Sequence, residues 1–205
     1  LYKGHKVVPW CPRCGTGLSS HELAQGYKEV EDTSVFVKFK LEPGQKIGNF
    51  ITDDKTYILS WTTTPWTLPG NVALAVNPTA EYVLAENIEG TERAIMSANF
   101  HERLSESHIY DKDSKVITQY HPFRNPYPKI PTPLPEIPIG QCLTGISYEP
   151  LFNLEKLKGE KSYKIYAADF VNTDEGTGVV HTAVMYGEDD YELGKKVGLP
   201  QHHTV

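Results

Sequence analysis

The chain has 205 residues, with 20 Lys and Arg against 26 Asp and Glu, a formal net charge of −6, 39% hydrophobic and 22% charged residues. That is enough for one large or two small domains with a real core. No basic stripe offers a grip on a duplex by its phosphates, and no run approaches the roughly 18 apolar residues of a membrane span, which argues against a duplex reader and a membrane protein.

Residues 1–33 read as an opening segment. Cys11 and Cys14 stand two apart and precede Gly15. Both thiolates of such a turn can reach one ion, and the glycine lets the backbone fold beneath it. Structural zinc takes four ligands, and three readings stay open. The pair is half of a zinc site completed from outside the chain, or a full site with His5 and His21, or two plain reduced cysteines. Cys142 is alone. One CxxC and a single extra cysteine do not make a secreted disulfide framework, which points to a reducing cytosol. A first residue Leu1 and a last residue Val205 within a polar run lead us to expect a piece of a longer protein.

Residues 34–205 read as one domain. From 34 to 41 apolar and polar residues alternate: Val35, Val37, Phe39 and Leu41 face one way, and Lys38 and Lys40 the other, a half-buried strand. Further strand-like runs fall at 56–62, 71–76, 81–86, 91–96, 107–110, 115–120, 141–148 and 162–171, with turn signals such as Pro43-Gly44 and Asp53-Asp54. Ser97 is placed to cap a helix running through Leu104, and 151–158 reads as a short helix or turn. Residues 122–138 carry seven prolines interleaved with Phe123, Tyr127, Ile130, Leu134 and Ile137, an extended connection expected to pack on the domain. Residues 176–183 read as a turn and a buried strand that carries His181. Residues 187–200 place acidic residues first, Lys195-Lys196 last and then Gly198 and Pro200, a short helix with charges suited to its dipole. The expected class is mainly β with a few short helices (α+β), arranged as a closed or nearly closed β-barrel.

Two stretches carry the chemistry. Trp61 to Gly70 packs four threonines, two tryptophans and two prolines behind an apolar strand. Pro65 and Pro69 withhold amide donors and stop the strand, so a rigid wall of hydroxyls is expected, with Trp66 as an apolar plate; a surface turn is the plainer reading. Far downstream, Asp190 falls in the first turn of the predicted helix. There its charged form is favoured, a ready anchor for an ammonium group, with helix capping as the competing role. His181 is a general base by residue type. Gly176-Thr177-Gly178 is too short a pattern to read as phosphate binding.

Trp61-Thr62-Thr63-Thr64-Pro65-Trp66-Thr67-Leu68-Pro69-Gly70-Asn71, with Gly176 to Ala183 and Gly187 to Tyr191, resembles the editing (CP1) domain of class I aminoacyl-tRNA synthetases, the isoleucyl, valyl and leucyl enzymes. Residues 10–22 and 198–205 look most like the isoleucyl enzyme; a valyl enzyme is the alternative, as is a tRNA-binding or structural module that has lost hydrolysis. Isoleucyl enzymes are themselves the standard illustration of a synthetic site that cannot reject valine by binding alone and needs a second, hydrolytic sieve. The resemblance implies hydrolysis of the ester in Val-tRNA(Ile), and of valyl-adenylate as a further substrate. Thr62, Thr63 and Thr64 would hold the terminal adenosine, the ester and a water. Asn71 would stand near them, Trp66 would wall the side-chain pocket, His181 would exclude isoleucine, and Asp190 would bind the α-ammonium. It further implies no cofactor for editing, the single-stranded CCA end and the rest of a synthetase as partners, a monomer, a cytoplasmic location, and no ATP-dependent charging by this segment. The family carries proline where this chain has Val184, followed by Met185, so a looser loop or a pocket shaped by Met185 is expected.

Overall fold

The computed structural model describes residues 7–29, 33–86, 91–106 and 140–204. His5, the strands expected at 107–110 and 115–120, and the proline-rich connection at 122–138 lie outside the described residues. The elements run β1 (Trp10–Cys11), β2 (Thr16–Gly17), α1 (Ser20–Ala24), β3 (Val35–Lys40), β4 (Lys46–Ile47), β5 (Phe50–Ile51), β6 (Thr56–Thr62), β7 (Ala73–Val76), β8 (Tyr82–Glu86), β9 (Arg93–Ser97), α2 (Ala98–Glu106), β10 (Lys164–Ala167), β11 (Val179–Thr182) and α3 (Glu188–Val197). Single 3-10 turns lie at Pro65–Gly70, Gly140–Leu143 and Glu155–Leu157.

Two sheets make the body. One has the order β3-β6-β9-β8, the other β10-β7-β11. β6 takes the centre of the first because Thr56, Ile58, Leu59, Ser60 and Thr62 are buried, on both faces of the strand, and its β-branched and aromatic residues suit a pleated surface. It pairs antiparallel with β3, Val37 opposite Ser60, and parallel with β9, Ile58 opposite Ile95. The alternation in β3 is as expected: Val37, Phe39 and Leu41 are buried, and Phe36 on the other face is exposed. β7, buried along its whole length, is the centre of the second sheet, parallel to β10 and antiparallel to β11, with His181 opposite Leu74. Phe39, Ile58, Leu74, Val76, Ile95, Tyr148 and Ile165 form the main core between the sheets.

The mainly-β, α+β expectation holds, but no closed barrel forms among the described residues. The sheets are joined on one side by isolated bridges, Leu41 with Tyr148 and Ser147 with Lys164. On the other side β11 meets β6 through a side chain: Ser60 Oγ donates to the Val179 carbonyl at 2.8 Å. Residues 141–148, expected as a strand, begin as a 3-10 turn and supply only these bridges; Gly145, with φ +87°, breaks the run. The stretch at 151–158 is the 3-10 turn Glu155–Leu157.

The helices follow their caps. Ser97 Oγ accepts from the Phe100 amide at 3.3 Å, as expected. The short α1 was not anticipated; Ser19 and Glu22 close a reciprocal capping box at its start. α3 starts after Gly187 and stops at Gly198, whose φ of +83° is left-handed.

Gly178 precedes β11 with φ +72°, and a Cβ there would stand 2.6 Å from the Ser97 Cβ. Its carbonyl accepts the buried Tyr82 hydroxyl at 2.6 Å. Gly178→Ala is therefore expected to cost about 2–4 kcal/mol, from backbone strain and overpacking together. Urea unfolding measures this, and a loss under about 0.5 kcal/mol, the scatter of an ordinary surface change, would contradict the geometry.

Candidate active site

The threonine wall starts where β6 ends. Thr62 is its last residue, and Pro65, with no amide hydrogen, opens a 3-10 turn to Gly70. The side chains then satisfy one another. The Thr64 amide donates to Thr62 Oγ1 at 3.1 Å, and the two hydroxyls lie 3.3 Å apart. Thr67 Oγ1 donates to the Thr64 carbonyl at 2.8 Å and stands 3.2 Å from His181 Nε2. A hydroxyl has one proton, and Thr67 gives its own to that carbonyl. The contact with His181 is therefore a donation from the ring, which places the imidazole proton on Nε2 and a lone pair on Nδ1. Nδ1 is buried and has no partner among the described residues. Burial pulls the His181 pKa down to about 4, so the ring is neutral at physiological pH.

Asp190 comes from the first turn of α3. Its carboxylate folds back over Gly187, where a Cβ would lie 2.9 Å from Oδ2, and Oδ2 accepts the Ala183 amide at 3.3 Å. The helix start and this bond favour the charged form, as expected from sequence. Burial opposes them and wins, aided by Asp189 nearby, and the pKa is pushed up to about 6.

These groups share one cavity of about 470 Å³. Thr62, Thr63, Thr64, His181 and Asp190 all line it, so two stretches more than a hundred residues apart in sequence meet as expected. The other walls are Trp61, Phe170 and Tyr186, together with the glycine turn 176–178. Gly176, at φ +60°, lets the chain pass over the Trp61 ring, which a Cβ would meet at 2.9 Å. Among the described residues the lining holds Glu175, Glu188, Asp189 and Asp190 and neither Lys nor Arg. With His181 neutral, the cavity attracts cations.

Two expected site residues do not line this cavity. Trp66 is 52% exposed on the 3-10 turn. Asn71 is buried, its Oδ1 accepting the Tyr148 hydroxyl at 2.7 Å and its Nδ2 donating to the Ala73 carbonyl at 2.9 Å, so its amide is occupied by the fold. The departure at 184–185 also resolves differently. Val184 is buried, and its methyls fill the space beside Gly194 of α3, where a Cβ would come within 2.6 Å. The Tyr186 amide donates to Ala183 at 2.9 Å, which makes the loop a closed turn. Met185 does not line the cavity; Tyr186 does. Thr67, Glu175 and Tyr186 are the residues that sequence reasoning missed. Thr67 had a signal, its i+3 spacing from Thr64 on a helical turn.

Cys11 and Cys14 share a tight turn. The Cys14 amide donates to Cys11 Sγ at 3.4 Å, Gly15 takes φ +67°, and a hydrogen bond from Cys14 holds the Cys11 thiol below its usual range. Both thiols are free, and the turn has the shape of half a metal site. Among the described residues no third His, Cys, Asp or Glu joins them, and His21 instead contacts Gln25 at 2.9 Å.

Along its full length the chain is 42% identical to the isoleucine–tRNA ligase of Clostridium novyi (strain NT) and 40% identical to that of Thermus thermophilus. It spans only 16% and 17% of those relatives' own lengths. The crystal structure of GlLeuRS-CP1 matches with a TM-score of 0.52 at 18% identity, over 80% of this chain and 60% of that one, a likeness of fold. No protein-family model matches. No helix among the described residues is long and apolar enough to cross a membrane.

The raised Asp190 pKa has a thermodynamic sign. A carboxyl whose folded pKa lies above its unfolded value of 3.8 contributes stability below that value, and loses it as pH rises through about 6. Asp190→Asn keeps an acceptor for Ala183 and removes the charge. At pH 7.5 it is expected to stabilise the fold by on the order of 1 kcal/mol, with no gain at pH 3.5. Urea unfolding at both pH values checks this, and an Asn variant less stable at pH 7.5 would contradict it.

Proposed function

We propose, for a chain that belongs to the isoleucine–tRNA ligase family, that this segment is the part of a larger ligase that hydrolyses the aminoacyl ester of mischarged Val-tRNA(Ile). The two relatives named above are isoleucyl enzymes, which supports the isoleucyl reading of residues 10–22 and 198–205. The observation that carries the reading is the half-buried Asp190 carboxylate facing the same cavity as the threonine wall and a neutral His181.

An aminoacyl ester is bound by its cationic end and attacked at its carbonyl. Asp190, ionised, pairs with the α-ammonium. Thr63 and Thr64, exposed at the wall, hydrogen-bond the ester, the terminal ribose and a water. Water attacks the carbonyl carbon, the ribose oxygen leaves and takes a proton, and the products are free valine and uncharged tRNA. The ester is already activated, so positioning and electrostatics supply the catalysis and no covalent nucleophile is required. A neutral His181 adds no charge to repel the ammonium. Valyl-adenylate presents the same ammonium and an activated carbonyl, and is a second substrate in this reading. The partners are the CCA end of tRNA(Ile) and the remainder of the ligase, in the cytoplasm, with the chain acting as a monomer. Zinc at Cys11 and Cys14 would take its remaining ligands from that remainder.

Deacylation of pre-charged Val-tRNA(Ile), without ATP and in the full-length ligase containing this segment, tests the proposal. The rate constant kcat/KM is expected to rise with pH through about 6 as Asp190 ionises. Asp190→Asn should lower it by about 100-fold, the loss of one partner of a desolvated charge pair, while the fold is retained. Equal hydrolysis of Val-tRNA(Ile) and Ile-tRNA(Ile), or hydrolysis of neither, would sink the reading. The second outcome would leave a module that binds tRNA without editing it.

A further inference from the structure

Tyr186 lines the cavity from the closed turn between β11 and α3, and its position is fixed from two sides. The Thr204 amide donates to its hydroxyl at 2.5 Å, and Thr204 Oγ1 lies 3.3 Å from the same oxygen. The ring stands edge-on to His203, with centroids 6.0 Å apart and planes at 77°. Behind it lies Gly70, the last residue of the threonine turn. A Cβ at Gly70 would come within 2.9 Å of the Tyr186 ring and 3.0 Å of Thr204 Oγ1, so the ring sits in space that only glycine leaves open. Gly187, the next residue, packs against the Asp190 carboxylate. The fixed ring and the ammonium anchor are therefore neighbours on one stretch of chain. An amino acid held by its ammonium carries its side chain on the adjacent carbon, within reach of the lining beside the anchor.

We infer that Tyr186, latched by Thr204 and seated on Gly70, is a second wall, besides His181, that sets how large an amino-acid side chain the pocket admits. This rests on the editing reading above. A ring that could swing would make room for one more methylene; a ring bonded at its tip and packed at its back cannot do so without breaking the latch. Discrimination between side chains differing by a methylene needs such rigidity, because the apolar contact of that group is by itself a weak signal.

The test compares Tyr186→Ala and Tyr186→Phe in the full-length ligase, with pre-charged Val-tRNA(Ile) and Ile-tRNA(Ile) and no ATP. The readout is the ratio of the two kcat/KM values, because a general structural loss lowers both rates together and leaves the ratio unchanged. Tyr186→Ala is expected to shift the ratio toward isoleucine by about tenfold or more, the range one methylene commands. Tyr186→Phe keeps the ring volume, removes only the latch, and should shift the ratio the same way by a smaller factor. It also decides the matter if the alanine variant does not fold. An unchanged ratio in a folded variant overturns the inference while editing stands; a wild-type ligase inactive on Val-tRNA(Ile) overturns the editing reading, and this inference with it.

Discussion

The structure depends on the seam between β6 and β11. The two strands belong to different sheets, and they are joined by the buried bond from Ser60 Oγ to the Val179 carbonyl and by the packing of Ile58 and Val179 in one core. Burying a hydroxyl is costly unless it is paired, so this serine specifies the seam as well as stabilising it. The threonine wall and His181 both lie on that seam. Two residues past Ser60, β6 ends at Thr62 and turns into the threonine wall. Two residues past Val179 comes His181, and the Thr67–His181 contact at 3.2 Å continues the seam into the site. β11 in turn hands the chain to the closed turn that presents Tyr186 and to the helix that presents Asp190.

A second theme is that the site holds its charges against the preference of the fold. Asp190 is desolvated far enough that its carboxyl resists ionisation, although a helix start and the Ala183 amide support the anion. His181 is desolvated too and stays neutral, its proton placed on Nε2 by the contact with Thr67. Burial thus works on both groups in one direction, toward neutrality. In the proposed function an arriving ammonium would reverse it for Asp190 alone, because it would bring the counter-charge that the protein withholds. The surrounding carboxylates would draw a cation in, and the half-buried Asp190 would offer it the least hydrated partner.

Local chemistry was legible in the sequence; partnership across the chain was less so. The alternation in β3, the cap at Ser97, the end of β6 at the prolines and the charge order of α3 all follow from spacing within a few residues, and the structure has them. The grouping of the threonines with His181 and Asp190 came from a family resemblance, since nothing in local periodicity joins positions more than a hundred residues apart. Asn71 shows the limit. Beside the threonine motif a polar side chain reads as functional, but Tyr148, far along the chain, takes up its amide. Trp66 reads as a pocket wall for the same reason of proximity, while the 3-10 turn carries it out to the surface and brings Thr67 inward. Among the described residues the barrel does not close fully, because one joint is made by isolated bridges and the other by a side chain, and strand patterns do not encode either. The Val184-Met185 departure looked like a loosened loop; Gly194 instead makes room for Val184, and the turn closes on itself.

The most direct test of the central claim is a crystal structure of this chain with a non-hydrolysable analogue of valine joined to the terminal adenosine. The account predicts the ammonium on an Asp190 oxygen, the carbonyl beside Thr63 and Thr64, and the valine methyls against Tyr186. An analogue bound with its ammonium away from Asp190, or lying outside the cavity between the threonine turn and α3, would contradict it.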